Sequence, residues 1–236
     1  MPEKTDKKAL ILLLGGTGSR FKGPLPKQFF LVKNLKQKEE KLLFVLTLEN
    51  ILNSITFHAV FLVIHPSYLQ HKKIIKNINK IKDKFSNCNF YLIPGGRSRS
   101  DSMTNGFKVL REKENNILKI AVHDANRPYL SKDFLQRIEK NLNKLSEKKP
   151  AFVPVIPSVD SLCLVKKNEI KNYVNRDEIF QIQTPQLLWV PAVEKTLQKK
   201  DKFTDEGSRL LNFGFKVFTF EGDFKNKKIT YKEDLL

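Results

Sequence analysis

Leu10-Ile11-Leu12-Leu13-Leu14-Gly15-Gly16-Thr17-Gly18-Ser19-Arg20-Phe21-Lys22-Gly23-Pro24-Leu25-Pro26-Lys27-Gln28-Phe29 is the stretch from which the fold of this chain is read. Its opening run, Ala9 to Leu14, is apolar at every position, which suits a central parallel strand covered on both faces. The run breaks at Gly15-Gly16-Thr17-Gly18. Glycines at the carboxyl end of a strand let the backbone take positive φ and aim its N–H groups at an anion. Arg20 and Lys27 follow, so a phosphate held by that loop meets two fixed cations. Leu14, Gly15, Gly16, Thr17 and Gly18 are therefore expected around a nucleoside triphosphate. On spacing alone, a strand followed by a flexible basic turn is the alternative.

Two familiar phosphate motifs fit badly. A P-loop needs Lys-Ser or Lys-Thr directly after its last glycine, whereas Gly18 is followed by Ser19-Arg20. The dinucleotide fingerprint needs a small third residue for close helix packing, and Phe21 stands there. Both kinase and dehydrogenase readings are weakened.

A chain of 236 residues can bury a large core. It has no proline- or glycine-rich seam, internal repeat or low-complexity tract, so one compact domain over 1–236 is expected. Its two cysteines, Cys88 and Cys163, are far apart and lack metal-ligand spacing, which argues against a disulfide scaffold or zinc site and for a reducing cytoplasm. Lysines before Ala9 imitate a signal peptide, but the apolar run is short and ends in glycines without a cleavage site. No run approaches membrane-spanning length, and no membrane partner is expected. The net charge of +18 raises nucleic acid as a partner. The lysines are scattered, however, over Lys72-Lys73, Lys76, Lys80, Lys82 and Lys84 and again over Lys140, Lys144, Lys148 and Lys149, without the interleaved aromatics of a base-stacking platform. They are expected to be solvated helix faces, with a general attraction for anionic substrates and no nucleic-acid partner.

Outward from the opening stretch, the pattern predicts a helix over Lys41 to Leu52 and a strand over His58 to Ile64. It continues with a helix from about Tyr68 to Lys82 and a strand over Phe90 to Ile93. The order βαβαβ is the signature of a parallel sheet with covering helices. His65, at a strand end before a proline, reads as structural more readily than as a catalytic base. Pro94-Gly95-Gly96-Arg97-Ser98-Arg99-Ser100-Asp101-Ser102 supplies a second glycine turn, leading into a helix over Ser102 to Leu110 capped by Ser100 or Asp101. In an open α/β sheet, ligands bind beyond the carboxyl ends of the strands, so both glycine turns are expected to face one crevice.

Ile117 to Val122 reads as a strand delivering His123-Asp124-Ala125-Asn126-Arg127-Pro128 to that crevice. A carboxylate at the end of a buried strand is well placed to hold Mg²⁺ while phosphates supply the remaining oxygens, so Asp124 is the metal candidate. Ser131 stands closer than Asp124 to the job of capping the next helix, over Ser131 to Leu145. Ala151 to Val155 reads as a strand, and 157–176 as a hairpin arm turning near Lys167-Asn168. Such hairpins seldom stand alone and often pair with a partner subunit. Thr184-Pro185 forces an extended conformation before a helix at Pro191 to Gln198. Thr204 is the expected N-cap of a helix ending near Gly214, and its role as cap suffices to explain Asp205 and Glu206 in the first turn. Phe215 to Phe220 reads as a strand, and the chain closes on a short helical start.

Taken in order, these motifs resemble the cytidylyltransferases of the methylerythritol phosphate pathway of isoprenoid synthesis, over nearly the whole chain. Gly15 to Arg20 with Pro26-Lys27-Gln28 match the family's glycine-rich loop. Gly95-Gly96 and Arg99-Ser100-Asp101-Ser102 match its Gly-Gly turn and Arg-x-Asp-Ser. His123 to Pro128 match His-Asp-Ala-x-Arg-Pro, and Asp160-Ser161 stand for Asp-Thr. Arg176-Asp177, Thr184-Pro185-Gln186, Thr204-Asp205-Glu206 and Asn226-Lys227-Lys228-Ile229-Thr230 complete the series. The resemblance implies a Rossmann-like, mostly parallel open sheet with helices on both faces and a protruding β-hairpin arm, in one nucleotidyltransferase domain.

It also implies transfer of a cytidylyl group from CTP to a sugar-alcohol phosphate, with Mg²⁺ as cofactor and a homodimer formed through the arm. By the same resemblance, Gly16, Gly18, Arg20 and Lys27 hold the triphosphate, and Gly96 and Ser102 lie against cytosine. Asp124, Arg127, Ser161, Arg176, Thr184 and Lys228 surround the acceptor, with Ser161 and Arg176 reaching from a second subunit. Arg20, Lys27 and Lys228 are the catalytic set. The chain departs from its relatives at Leu14-Gly15, usually two alanines, at Arg97, often acidic, and at Asn126, usually alanine. Ribitol-phosphate cytidylyltransferases share most of these motifs, and Pro24 to Gln28 resembles their loop; Thr204-Asp205-Glu206 favours methylerythritol phosphate. The rivals from other classes are a nucleic-acid-binding protein and a nucleotide-binding oxidoreductase.

Overall fold

The computed structural model describes residues 7–16, 25–33, 39–197 and 203–235. Strand β1 (Lys8–Leu14) is buried from Ala9 onward, as its unbroken apolar run requires. Short strands β2 (Leu31–Lys33) and β3 (Glu40–Leu42) pair with each other and lead into α1 (Leu43–Leu52). The chain then alternates through β4 (Ala59–Ile64), α2 (Lys72–Lys84), β5 (Asn89–Pro94), α3 (Arg99–Lys113), β6 (Lys119–Asp124), α4 (Lys132–Lys144) and β7 (Ala151–Pro157). Strands β8 (Leu162–Lys166) and β9 (Glu169–Val174) follow, then β10 (Phe180–Ile182), β11 (Gln186–Trp189), α5 (Val190–Thr196), α6 (Glu206–Asn212) and β12 (Phe218–Glu221).

One eight-stranded sheet gathers all the strands except the β2–β3 and β8–β9 pairs. β1 lies between β6 and β4, with β5 beyond β4, and all four run parallel. Because side chains alternate along β1, its two faces feed two cores. Leu10, Leu12 and Leu14 pack with Phe44 and Leu48 of α1, Ile74 and Ile78 of α2, and Phe134 and Ile138 of α4. Ala9, Ile11 and Leu13 pack with Met103, Phe107 and Leu110 of α3, and with α5 and α6. Each such fully buried large side chain is worth about 1.5–3 kcal/mol over leaving it in water. The expected mostly parallel open sheet, covered on both faces, is the one observed.

The other half of the sheet reverses direction. β11 runs antiparallel to both β6 and β7, so β7 points the same way as β1, and β12 runs parallel to β7. β10 also pairs antiparallel with β7. Ile182 faces Val155 and Leu187 faces Phe152, so the five steps from 182 to 187 match only three from 155 to 152. The excess is a bulge at Gln183-Thr184-Pro185, of the kind that re-aims side chains next to sites; the Thr184–Pro185 peptide is cis. β8 and β9 form the expected arm, with Lys167 (φ 49°) and Asn168 (φ 64°) making the tight turn at its tip.

Several element boundaries differ from the sequence expectation, each for a local reason. α1 starts at Leu43 because Glu40–Leu42 pairs with β2. α2 starts at Lys72 because Pro66–Tyr68 makes a separate 3₁₀ turn, on which the His65 imidazole accepts from the Ser67 N–H at 3.3 Å. His65 is thus a turn cap. α3 begins at Arg99, earlier than expected, because Ser98 is its cap in place of Ser100 or Asp101. β11 was not expected at all: its four residues, mostly apolar, adjoin a helix and give no alternation to read.

Candidate active site

All parallel strands release the chain at one rim, and the polar residues meet there. Gly15 and Gly16 follow β1, and Gly95 and Gly96 follow β5. The two turns share one side chain. A Cβ on Gly15 would sit 3.2 Å from the Ser102 Oγ, and a Cβ on Gly95 3.1 Å from it. Ser102 Oγ accepts from the Gly96 N–H at 3.1 Å and donates to the Ser98 carbonyl at 2.9 Å, while its residue is buried. Gly96 has no room for a side chain, since a Cβ would fall 2.3 Å from that of Asp101. Asp101 itself closes a capping box with Ser98: its N–H donates to Ser98 Oγ at 3.0 Å, and its Oδ2 accepts from the Ser98 N–H at 3.1 Å. The first loop is held from the other side by Gln28, whose amide donates to the Leu14 and Gly16 carbonyls, both at 2.7 Å. Lys27 opens the 3₁₀ turn next to it. Thr17, Gly18 and Arg20 lie outside the described residues.

Asp124, the last residue of β6, is buried and meets three cations. Lys228 Nζ lies 2.8 Å from Oδ2, Arg99 Nε 3.3 Å from Oδ1, and Arg127 Nε 3.9 Å from Oδ2. Burial works against the carboxylate's charge, but Arg99, Lys228 and Arg127 outweigh it and hold the carboxyl below the usual range. Glu206 is buried at the start of α6 and binds Arg99 Nη1 at 2.9 Å. This corrects the expectation that a first-turn capping role suffices for it. The N-cap is Asp205, whose carboxylate accepts from the Ser208 N–H at 2.8 Å, and not Thr204.

Thr184 is delivered by the β10–β11 bulge. Its Oγ1 accepts from the Asp124 N–H at 3.2 Å and lies 3.0 Å from His123 Nδ1. His123 Nε2 faces the Arg127 carbonyl at 3.2 Å. A carbonyl only accepts, so Nε2 carries the proton and Nδ1 accepts from Thr184. Burial pushes the His123 imidazole down to about 4, which keeps it neutral at pH 7.

The segment after β12 runs as a strap across the rim. Asn226 donates to the Thr184 carbonyl at 2.8 Å, Arg127 Nη1 to the Asn226 carbonyl at 2.9 Å, and Asn126 to the Ile229 carbonyl at 2.7 Å. Gln183 Nε2 donates to the Asp223 carbonyl at 2.9 Å, and the Asp223 N–H returns to Gln183 Oε1 at 3.0 Å. These buried amides fix the backbone on both sides of Lys228.

A family model for 2-C-methyl-D-erythritol 4-phosphate cytidylyltransferase matches residues 9–236. The chain belongs to that family. Among its relatives, the enzyme of that name from Thermosipho africanus is 34% identical over 229 residues, 95% of this chain and 93% of the relative. The one from Thermosipho melanesiensis is 31% identical over 228 residues, with the same shares. The crystal structure of the Francisella tularensis 2-C-methyl-D-erythritol 4-phosphate cytidylyltransferase superposes with a TM-score of 0.72 at 27% identity, covering 97% of this chain and 96% of that one.

Of the residues expected at the family's site, the structure gathers Gly15, Gly16, Gly96, Ser102, Asp124, Arg127, Thr184 and Lys228 along one rim. It does not bring Ser161 and Arg176 there. Both are exposed on the arm segment, where Arg176 Nη1 donates to the Val159 carbonyl at 3.3 Å. Arg99 and Glu206 were missed as site residues. The signal available was a pair of opposite charges inside two motifs whose spacing of 107 residues says nothing of contact. Among the described residues, no three His, Cys, Asp or Glu side chains converge to hold a metal, and no helix is long and apolar enough to cross a membrane.

Proposed function

We propose that this chain transfers a cytidylyl group from CTP to 2-C-methyl-D-erythritol 4-phosphate, releasing pyrophosphate, as a step in isoprenoid precursor synthesis. The observation that carries the reading is the meeting of two glycine turns on Ser102 beside a carboxylate ringed by Arg99, Arg127 and Lys228. The reaction is an in-line displacement in which an oxygen of the acceptor's phosphate attacks the α-phosphorus of CTP. A phosphate monoester is already nucleophilic near neutral pH, so the protein's tasks are to align two polyanions and to screen their repulsion. Leu14, Gly15, Gly16, Thr17 and Gly18 cradle the triphosphate with Arg20 and Lys27, and Gly96 and Ser102 face the base. Lys228, held by the strap, steadies the attacking phosphate, with Arg127 and Thr184 beside it.

Asp124 suits one kind of metal site. It is held in its ionised form on the rim, but Arg99, Arg127 and Lys228 already compensate its charge, so it would hold a divalent ion only as one ligand beside the phosphates, whose negative charge offsets those cations. A magnesium ion held there would supply charge neutralisation between the phosphates. The arm supports a homodimer. Leu164, Val165, Ile170 and Tyr173 are exposed on it, an apolar face that a second copy would cover, and Ser161 and Arg176 flank the same arm, exposed.

The test is pyrophosphate release from CTP and Mg²⁺ with 2-C-methyl-D-erythritol 4-phosphate, run beside ribitol 5-phosphate. Release that depends on the former acceptor is expected; release with ribitol 5-phosphate alone, or with neither, would remove the assignment.

A further inference from the structure

The cluster on the rim is closed by a residue from an element not yet given a task. Glu206 sits in the first turn of α6, 3% exposed, with Oε1 2.9 Å from Arg99 Nη1. The same guanidinium turns its Nε to Asp124 Oδ1 at 3.3 Å, while Lys228 takes Oδ2 at 2.8 Å. One planar cation therefore spans two carboxylates, one at the crevice and one buried behind it. Arg209, also on α6, donates to Ser100 Oγ at 2.6 Å and so fastens α6 to the first turn of α3, next to Arg99.

A carboxylate buried this deeply is strongly destabilising unless it is paired. Helix capping does not require this one, because Asp205 and Ser208 already close the cap. Its other oxygen, Oε2, is buried without a hydrogen-bond partner, so Arg99 is its direct ion-pair partner, with Arg209 of the same helix adding attraction at longer range. Arg99 in turn is held more firmly in its charged form by Glu206 first and Asp124 second, against the effect of burial.

Building on the cytidylyltransferase reading of this crevice, we propose that Glu206 is a positioning residue that acts through Arg99 to orient the Asp124 carboxylate for the transfer. Four cations face two carboxylates here: Arg99, Arg127 and Lys228 around Asp124, and Arg99 again with Arg209 around Glu206. With Glu206 neutral, Arg99 loses its anchor and is drawn toward Asp124 and the incoming phosphates, and the carboxylate leaves the orientation set between Arg99 and Lys228. A misplacement of about 1 Å at a reacting centre is worth roughly a hundredfold in rate. The effect therefore belongs in kcat more than in CTP binding, which rests on the two glycine turns.

The experiment uses the full chain with CTP, Mg²⁺ and 2-C-methyl-D-erythritol 4-phosphate, and compares the wild type with Glu206→Gln, Glu206→Asp, Arg99→Lys and the Glu206→Gln/Arg99→Lys pair. Glu206→Gln is expected to keep a cooperative thermal transition and to lower kcat by roughly 10- to 100-fold, with the KM for CTP within about twofold. Glu206→Asp recovers part of the loss. The pair is no slower than Arg99→Lys alone, because residues acting as one unit are not additive. A merely structural role would lower the melting temperature and leave this split unmoved. A Glu206→Gln kcat within about twofold of wild type, or losses that multiply in the pair, would overturn the proposal. If Glu206→Gln does not fold, the proposal stands or falls on whether Glu206→Asp and Arg99→Lys both lower kcat at unchanged KM for CTP, with Glu206→Asp the milder of the two. A wild type that releases no pyrophosphate would sink the functional reading instead; exchange of the Arg99 Nη1 protons by NMR, slow in the wild type where Glu206 accepts from Nη1 and fast in Glu206→Gln, then decides the positioning on its own.

Discussion

Two buried carboxylates stand at opposite ends of the same parallel strands, and they are satisfied in opposite ways. At the amino ends, Glu114 accepts from Asn89 Nδ2 at 2.7 Å and from the Tyr91 hydroxyl at 2.9 Å, with His58 Nε2 3.3 Å away. At the carboxyl ends, Asp124 meets Lys228, Arg99 and Arg127. Burial raises both carboxyls, and both nevertheless end below their ordinary values, Glu114 chiefly through the neutral donors Asn89 and Tyr91, Asp124 through cations. Glu114 is closed off: its hydrogen bonds tie the end of α3 to β5 and leave little to offer a ligand. Asp124 is overcompensated. A surplus of positive charge around a carboxylate does little for stability that neutral donors could not do, and it prepares the rim for polyanions.

The comparison breaks most visibly at Lys228. Removing it is expected to lower turnover by roughly a hundredfold, about 3 kcal/mol of transition-state stabilisation, with the thermal midpoint nearly unchanged; steady-state kinetics of Lys228→Ala beside a melt checks both halves. The crevice end should also be the acid-sensitive one. His123 titrates near 4 when folded and near 6.5 when unfolded. The unfolded chain therefore takes the proton first. The stability tied to neutral His123 is complete above about pH 6.5 and is lost as the pH falls toward 4, by about 3 kcal/mol in all. Denaturant titrations at pH 7 and pH 4.5 should show that difference shrinking in His123→Asn; an equal pH slope in both proteins would contradict it. At the other end, Glu114→Ala is expected to lower stability by about 1–3 kcal/mol, because Asn89 and Tyr91 lose their acceptor. Turnover per folded molecule should not move, and a fall in kcat at saturating substrate would erase the contrast. The smallest effect belongs to Lys84, which is half exposed and shares Glu49 with the nearer Lys41. Lys84→Ala should change stability by less than about 0.5 kcal/mol, and less still in high salt.

The sequence carried the parallel half of the sheet because Ala9–Leu14 and Ala59–Ile64 are unbroken apolar runs flanked by amphipathic helices, a pattern with few alternatives. The antiparallel half was harder. β11 is four residues long and passes into α5 without a turn signal, and β10 is exposed, so neither has the alternation that marks a strand. The turn at Lys167-Asn168 was legible, since a short polar pair between alternating runs is a local signal. The rim was legible residue by residue, and its wiring was not. Asp124, Thr184 and Lys228 stand out as motif residues, but that Glu206 reaches Arg99, or that Asn226 holds the Thr184 backbone, depends on which segments the sheet brings side by side. Ser98 was missed as a cap because two other candidates, Ser100 and Asp101, follow within three residues, and only backbone geometry chooses among them.

β7 points the same way as β1, so the arm that leaves its end at Pro157 is rooted at the mouth of the crevice and not at the far side of the molecule. The strap that follows β12 crosses the same threshold. Arm root and strap therefore frame one doorway, through which nucleotide and acceptor must pass.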